Sequence, residues 1–399
     1  MKIHNFKAVF PFEGYVIEEV TCTGVGCQID LRWDARRRLA CPCCGSTMAR
    51  NRETWHIAYD LPCGRGPVTI VKYPAIQGRC SSCGGYHTLR PGEIHPTRKA
   101  TWRLMRYVSM LARYVPMDGM KAICEVPAAT AWRYDRDVLE ADLPGPDLDR
   151  VRRILVDEKS VGRGHQYVTL VLDADTGELL HMHEGKKRES LGAFFAELTE
   201  EQRRRIEAVC IDRAGSYKSA VEEWLPDAEI VYDRFHLMQN LGRAIDEVRR
   251  QEQKRASEED GRVIKGSRYN LLRNAENLRD ENRVALSDLL DINENLNIAY
   301  ILKEQFRLAW SYSYAGCARR FLERWVDQVR ESGIEPLIGF ANGVARDIEG
   351  IVSWCRHHLT NGPIEGFNST VARVLFRARG IRSTDYLYLK LRQESLLQT

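Results

Sequence analysis

Apolar positions recur at helical spacing in some stretches of the chain and alternate or run together in others. Residues 68–73, with Val68, Ile70, Val71 and Tyr73, read as a strand. Over about 97–114, Leu104, Val108 and Leu111 fall at i, i+4 and i+7, the stripe of an amphipathic helix. A short helix near 117–124, the turn Glu125-Val126-Pro127 and a helix over 128–140 follow. That order predicts a helix-turn-helix within 96–146, closed by the breaker Pro144-Gly145-Pro146.

Beyond Arg152 the texture changes. Strands are expected at 154–157, 166–172 and 178–183, joined at Gly162-Arg163-Gly164 and at Asp173-Ala174-Asp175-Thr176-Gly177 as a meander. A helix over 188–198, a buried strand at 208–211, a helix over 217–224, a strand at 229–232 and a helix over 235–250 complete the series. Three strands followed by alternating helix and strand predict a mixed sheet with helices on its faces. Residues 240–357 then carry helical patterns without strands. The segment from Pro363 onward is helical and basic. The fold class expected is therefore a multi-domain α+β and α/β chain.

A length of 399 residues allows two to four domains at ~100–200 residues each. With 44% apolar and 29% charged residues the composition is that of a soluble globular protein. No uncharged apolar run approaches the roughly 18–20 residues that span a bilayer, and Met1-Lys2-Ile3-His4 opens no signal peptide. A cytoplasmic protein without a membrane partner is expected. The net charge of +4 conceals a division: residues 1–113 hold 17 Lys and Arg against 8 Asp and Glu, and the rest hold 42 against 47. A basic first third points to a polyanionic partner.

Eight of the twelve cysteines precede residue 84. In a cytosolic chain such clustering reads as metal ligands more readily than as disulfides. Cys41-Pro42-Cys43-Cys44-Gly45 and Cys80-Ser81-Ser82-Cys83-Gly84 each repeat C-x-x-C-G, the form of a zinc knuckle, in which glycine lets backbone N–H groups face the sulfurs. Cys41, Cys44, Cys80 and Cys83 make the four-thiolate set of a structural Zn²⁺ site. The 35 residues between the knuckles hold a hairpin that includes the strand at 68–73. Cys22, Cys27, Cys43 and Cys63 receive no role.

Asp157 ends the first strand of the meander and Asp212 ends the fourth, and the topology puts these two strands side by side. Neighbouring carboxylates suit Mg²⁺ or Mn²⁺. Glu365 follows Gly362-Pro363, in the first turn of a helix, and completes a carboxylate triad. Asp233 and His236 form D-x-x-H, read either as a helix N-cap with a packed histidine or as a support for the site.

Several separated strings carry a resemblance. Asp157-Glu158, Cys210-Ile211-Asp212-Arg213-Ala214-Gly215-Ser216-Tyr217, Asp233-Arg234-Phe235-His236 and Asn361-Gly362-Pro363-Ile364-Glu365-Gly366-Phe367-Asn368 together resemble the bacterial insertion-sequence transposases with a ribonuclease-H-like DDE domain. Lys265-Gly266-Ser267-Arg268-Tyr269 and Ala299-Tyr300-Ile301-Leu302-Lys303-Glu304 are similar to the helical insertion of the group that begins with a zinc ribbon and a helix-turn-helix. The resemblance covers nearly the whole chain. It implies a zinc-ribbon domain over 1–95, a DNA-binding helix-turn-helix over 96–146 and a ribonuclease-H-like domain over 147–250. An all-helical insertion over 251–357 follows, and 358–399 return to the catalytic domain.

Asp157, Asp212 and Glu365 match the catalytic triad that holds two Mg²⁺ ions for DNA cleavage and strand transfer. The spacings of 55 and 153 residues leave room for the insertion. DNA contacts are expected from Arg98, Lys99, Arg103, Arg133, Arg136, Arg373, Arg377, Arg379 and Arg382, on double-stranded element ends and target. A homodimer or larger assembly would bring two ends together. The competing readings are a DNA-binding regulator with an inactive nuclease-like domain, and a nuclease that cuts without joining. No G-x-G-x-x-G, phosphate-binding loop or G-x-S-x-G supports a small-molecule enzyme.

Overall fold

A computed structural model of the chain describes residues 12–63, 67–162, 164, 166–213, 215–378, 380–381 and 383–397. Two compact units emerge: residues up to Pro144 together with 373–393, and residues 145–372 together with those from Glu394 onward. Each contains one five-stranded mixed sheet.

In the first unit, β1 (Tyr15–Cys22) and β2 (Gly26–Trp33) form a hairpin, and β3 (Met48–Asp60) and β4 (Val68–Cys80) form a longer one. β2 runs parallel to β4, giving the order β1-β2-β4-β3, and β5 (Tyr86–Leu89) pairs with the far half of β4. The strand expected at 68–73 is thus the first half of a strand twice as long. Ile29, Leu31, Ala58, Val71 and Tyr73 close a small core on the sheet. Cys22 and Cys27 stand opposite each other in the first hairpin, 4.1 Å apart at Cα, and are joined as a disulfide. The preference for metal ligation over disulfides therefore fails at this pair, because the hairpin register sets the two side chains face to face.

The helical part begins later than its apolar stripe does. Helix α1 (Trp102–Leu111) is capped by Thr101, whose backbone is extended and whose hydroxyl accepts from Leu104 N. The His95 ring accepts from the N–H groups of Thr97 and Arg98, holding them in a turn outside the helix. After α2 (Met120–Cys124) and a three-residue turn comes α3 (Ala128–Asp142). Helix α17 (Thr384–Ser395) is numbered last in the chain, yet its Tyr386 packs with Leu104, Met105, Val108, Met120, Ala131 and Val138 of this helical core. The C-terminal helix expected with the catalytic sheet thus joins the first unit. Buried Asp135 draws it in, accepting from Tyr386 Oη, from Lys390 Nζ at 3.2 Å and from Ser109 Oγ at 2.6 Å.

In the second unit β6 (Arg153–Gly162), β7 (Gln166–Asp173) and β8 (Leu179–Glu184) form the expected antiparallel meander. Helices α4 (Arg188–Glu197) and α5 (Glu200–Arg205) lead to β9 (Ala208–Ile211), and α6 (Gly215–Trp224) leads to β10 (Glu229–Tyr232). β9 and β10 add in parallel beyond β6, so the order is β10-β9-β6-β7-β8. The chain then turns helical: α7 (Arg234–Arg255), α8 (Glu258–Gly266), α9 (Arg268–Leu272), α10 (Asp280–Ile292), α11 (Glu294–Arg307), α12 (Ala315–Glu331), α13 (Glu335–Arg346), α14 (Ile348–Val352) and α15 (Trp354–His357). No strand interrupts them among the described residues. Phe306, Trp310, Trp325 and Phe340 pack mostly edge to face at ring separations of 4.7–6.1 Å in their core. The buried Lys303 ammonium of α11 donates to the carbonyls of Leu271 and Arg273, at the end of α9. Helix α16 (Gly362–Ala378) follows the insertion, its residues through Ala372 lying in this unit.

Candidate functional sites

The knuckles fold alike. Gly45 and Gly84 both adopt φ near +72°, open to glycine without strain, and each donates its N–H to the carbonyl four residues back, on Cys41 and Cys80. The Ser46 backbone N–H, its hydroxyl and the Cys80 sulfur hold the Cys44 thiol down at about 6. The four Sγ atoms lie within 4.8 Å of one another, with Cys41–Cys83 at 3.7 Å and Cys44–Cys80 at 3.5 Å. Thiolates on a tetrahedral Zn²⁺ at about 2.3 Å stand about 3.8 Å apart, so the arrangement fits that ion. Cys43 points outside the set and is exposed, and half-buried Cys63 lies against the neighbouring sheet core.

The acidic residues converge from four elements of the second unit. β6 and β9 pair as far as Leu155 and Cys210, and Asp157 and Asp212 each sit two residues further on. Asp157 lies in the middle of β6 rather than at its end, because β7 continues to pair there, Asp157 opposite Leu170, after β9 has stopped. Its carboxylate accepts from Glu158 N at 2.8 Å and from Asn368 Nδ2 at 2.7 Å. Asn368 follows Glu365 by three residues on α16, so the two share a helix face. Ile364, Phe367 and Val371 bury the adjacent face.

Asp233 fastens the start of that helix. It caps α7 by accepting from His236 N at 3.0 Å, and its other oxygen accepts from Asn361 N at 3.0 Å. His236 Nδ1 lies 3.2 Å from the same carboxylate. The aspartate is thus a helix cap, and its second oxygen ties the start of α7 to the residue that precedes the helix carrying Glu365.

The charges are mutually felt. Burial raises the Asp157 carboxyl above its ordinary range, Asp212 adds to this, and the bonds from Glu158 and Asn368 oppose it. Glu365 is raised by burial and by Asp233 and Asp157, against His236. At Asp233 burial is outweighed by the His236 ring, the Asn361 N–H and the His236 N–H, and the carboxyl is lowered. His236 is raised by the Asp233 bond despite burial, with further pull from Asp157 and Asp212. Burial pushes the Tyr217 hydroxyl, bonded to Thr169 at 2.9 Å, up to about 12.

Among the described residues, only the four cysteines gather three or more His, Cys, Asp or Glu donors within 4.8 Å. No three of the carboxylates thus stand as close together as the ligands of one ion. Two cations about 3.5–4 Å apart spread their ligands over such a wider span. Asp157 and Glu365 carboxyls raised by burial and by neighbouring carboxylates, with the buried Asn368 Oδ1 and Asn361 amide left without partners, fit a divalent-cation centre.

The arginines separate into two groups. Arg98 forks onto Asp137, and Arg103 forks onto Asp60, a fully buried carboxylate also bonded by Thr101. Those guanidiniums serve the fold of the first unit. Lys99, Arg133, Arg136 and Arg373 are exposed and Arg377 is half-buried, while Arg136 reaches Glu140 one turn on. Arg379 and Arg382 lie outside the described residues. Sequence reading had quoted Asn368 and Asn361 without giving them roles. The i, i+3 spacing of Glu365 and Asn368 was the available signal for the first. Asn361 acts through its backbone, which leaves no side-chain signature.

An acidic cluster on a mixed sheet, reached by a helix that follows a long helical insertion, and a basic unit with paired cysteine knuckles, are the parts of a DNA transposase. A family model of ISL3 transposases, described as "Transposase", matches residues 154–391, and the chain belongs to that family. It is 32% identical over 388 residues to the transposase for insertion sequence element IS1001 of Bordetella parapertussis, covering 96% of this chain and 95% of that one. It is 30% identical over 294 residues to the transposase for insertion sequence element IS1557 of Mycobacterium tuberculosis (strain CDC 1551 / Oshkosh), covering 67% of this chain and 66% of the relative. No described helix is long and apolar enough to cross a membrane.

Proposed function

We propose that this DNA transposase recognises the ends of its own insertion sequence with the first unit and cuts and joins DNA with the second, through Asp157, Asp212 and Glu365. The observation that carries the reading is the bond from Asn368 to Asp157, which fastens the glutamate-bearing helix to the strand that aligns the two aspartates. An antiparallel meander extended by two parallel strands supports a ribonuclease-H-like reading, with Asp157 and Asp212 each two residues past the point where the first and fourth strands stop pairing.

Two Mg²⁺ or Mn²⁺ ions, when bound by these carboxylates, supply activation of the attacking oxygen and stabilisation of the departing 3′ oxygen. Asp157 and Asp212 present their oxygens from neighbouring strands, and Glu365 presents its own from the first turn of α16. Asn368 orients Asp157, and Asp233 sets the start of α16 so that Glu365 faces the aspartates. In the first unit the four cysteines would hold Zn²⁺ and fix the knuckles. Helix α3, with Arg133 and Arg136, would enter DNA as the second helix of a helix-turn-helix, while Lys99, Arg373 and Arg377 hold phosphates. Arg98 and Arg103 stiffen that reader from within. Synapsis of two ends calls for at least two copies.

The test uses duplex DNA bearing the terminal repeats of the element that encodes this chain, with Mg²⁺. Cleaved 3′ ends and joined products are expected from the wild type. Cleavage without joining would reduce the protein to a nuclease, and end binding without either would reduce it to a regulator.

A further inference from the structure

A groove of about 970 Å³ opens at Glu365 and Asp233 and runs along one face of α7, from Phe235 past Gly242 and Arg243 to Arg250, with Arg268 on its far wall. The fifteen residues from Phe235 to Arg250 rise about 22 Å, the length of several stacked nucleotides at about 3.4 Å each.

Three features of the wall point the same way. Phe235, at the mouth beside His236, leaves 55% of its surface exposed, an apolar ring in the same groove lining as Asp233 and Glu365. Arg243 spends its hydrogen bonds on the neutral amides of Asn240 and Gln239, Arg250 and Arg268 share the carboxylate of Asp246, and six Lys and Arg line the groove against four Asp and Glu, Glu247 among them, so positive charge exceeds negative. Gly242 sits in the interior of a 22-residue helix, where glycine weakens the helix, and its backbone conformation is ordinary. A Cβ there would meet Leu272 Cδ2 at 3.5 Å, an ordinary contact, so packing does not demand glycine. The missing side chain keeps the floor of the groove open.

We infer that this groove holds unpaired nucleotides of the DNA strand flanking the scissile phosphate, with Phe235 as the platform on which the first displaced base stacks and Arg243 on the backbone. The inference rests on the reading of Asp157, Asp212 and Glu365 as the cleavage centre. Aromatic stacking accepts any base, so the groove would take the flanking DNA of any insertion site.

The experiment uses the full chain and a fluorescein-labelled ten-nucleotide oligothymidylate carrying one 5-iodouracil, without Mg²⁺. Photocrosslinking is expected in the peptide that contains Phe235. Phe235→Ala should weaken binding by about 5- to 100-fold, the range for loss of one stacked base, and Phe235→Trp should restore it. Gly242→Met, which fills the floor, should weaken binding similarly, and Arg243→Ala should lower the slope of log affinity against log salt by about 0.7. Phe235→Ala and Gly242→Met proteins that melt as the wild type does and still bind the oligonucleotide as tightly would overturn the proposal, as would crosslinks that avoid α7. Cleavage of element ends by the wild type, compared with Asp157→Asn, tests the underlying reading separately. Phe235-dependent binding without cleavage sinks that reading alone, and Asp157-dependent cleavage with Phe235-independent binding sinks the groove alone.

Discussion

Replacing Asn368 by alanine removes the one side chain that binds Asp157 from the helix carrying Glu365, and does so without touching a carboxylate. The bond is 2.7 Å long, half-buried and made to a charged acceptor. Hydrogen bonds of that kind contribute about 1.5–3 kcal/mol. If the bond is held equally in the free protein and at the reaction's peak, its loss costs stability alone. If its role is to keep Glu365 and Asp157 in register during cleavage, the same energy appears in the rate, as about a 10- to 150-fold fall at 1.4 kcal/mol per factor of ten.

Two measurements separate these cases. Single-turnover cleavage of element-end DNA at saturating Mg²⁺ should slow by that factor in Asn368→Ala while end binding stays unchanged. In metal-free buffer the melting temperature should fall in a pH-dependent way. Asp157 already titrates above its ordinary range, and the amide opposes that rise, so its removal raises the folded-state value further. A folded value above the unfolded one costs stability once the group ionises. The deficit of the variant is therefore full above the folded value and shrinks as pH falls toward the ordinary carboxylate range near 4. Wild-type cleavage by Asn368→Ala, with a melting deficit that ignores pH, would refute the positioning role.

Asp157→Asn, Asp212→Asn and Glu365→Gln should each abolish cleavage and leave binding of element-end duplex intact; a variant that cuts at the wild-type rate removes its residue from the centre. Freshly purified protein should carry one zinc per chain by atomic absorption, and Cys80→Ser should lose it; metal content indifferent to Cys80 would refute the four-sulfur site. Lys390→Met should destabilise the first unit by about 3–5 kcal/mol in urea melts, since it strips a partner from fully buried Asp135, and Asp135→Asn added to it should recover most of the loss. His236 is raised above its ordinary value by Asp233, so in metal-free buffer the stability lead of wild type over His236→Gln should be complete below about pH 6.5 and vanish as pH rises through the folded value. A lead that is constant with pH would show that the pair does not ionise.

What the sequence disclosed follows from which interactions are local. Alternation and turn residues located every strand of the second sheet, because the meander and the parallel additions are built from short buried runs bounded by glycine and aspartate. The knuckles were equally plain, since C-x-x-C-G encodes its own turn within five residues. The misplacements arise where a distant partner decides. The apolar stripe over 97–114 carries no sign that Thr101 would cap the helix, or that the His95 ring would hold the preceding residues in a turn. β6 outruns its apolar run because β7 supplies hydrogen bonds beyond it. Cys22 and Cys27 meet only once the hairpin register is set.

The C-terminal helix shows the same limit at larger scale. The segment from Pro363 onward reads simply as helical and basic, yet Lys390 is buried against Asp135 and Arg392 is buried with its guanidinium donating to Pro144 O. Charge in a sequence is ambiguous between a solvent-facing cation and half of an internal pair, and only the partner's position resolves it. Arg98 and Arg103 illustrate this on the other side of the chain, being matched to Asp137 and Asp60 from 39 and 43 residues away. Among the described basic residues of the first unit, the exposed ones lie on the strands and their turns, as Arg36, Arg37, Arg38, Arg50, Arg52, Lys72 and Arg79 do, as well as on α3 and at Lys99 and Arg373. In the proposed end reader, Arg98 and Arg103 would supply rigidity and solvent-facing cations such as Arg133 the affinity. Substituting Arg103 should therefore weaken the fold before it weakens the salt dependence of DNA binding, whereas substituting Arg133 should do the reverse.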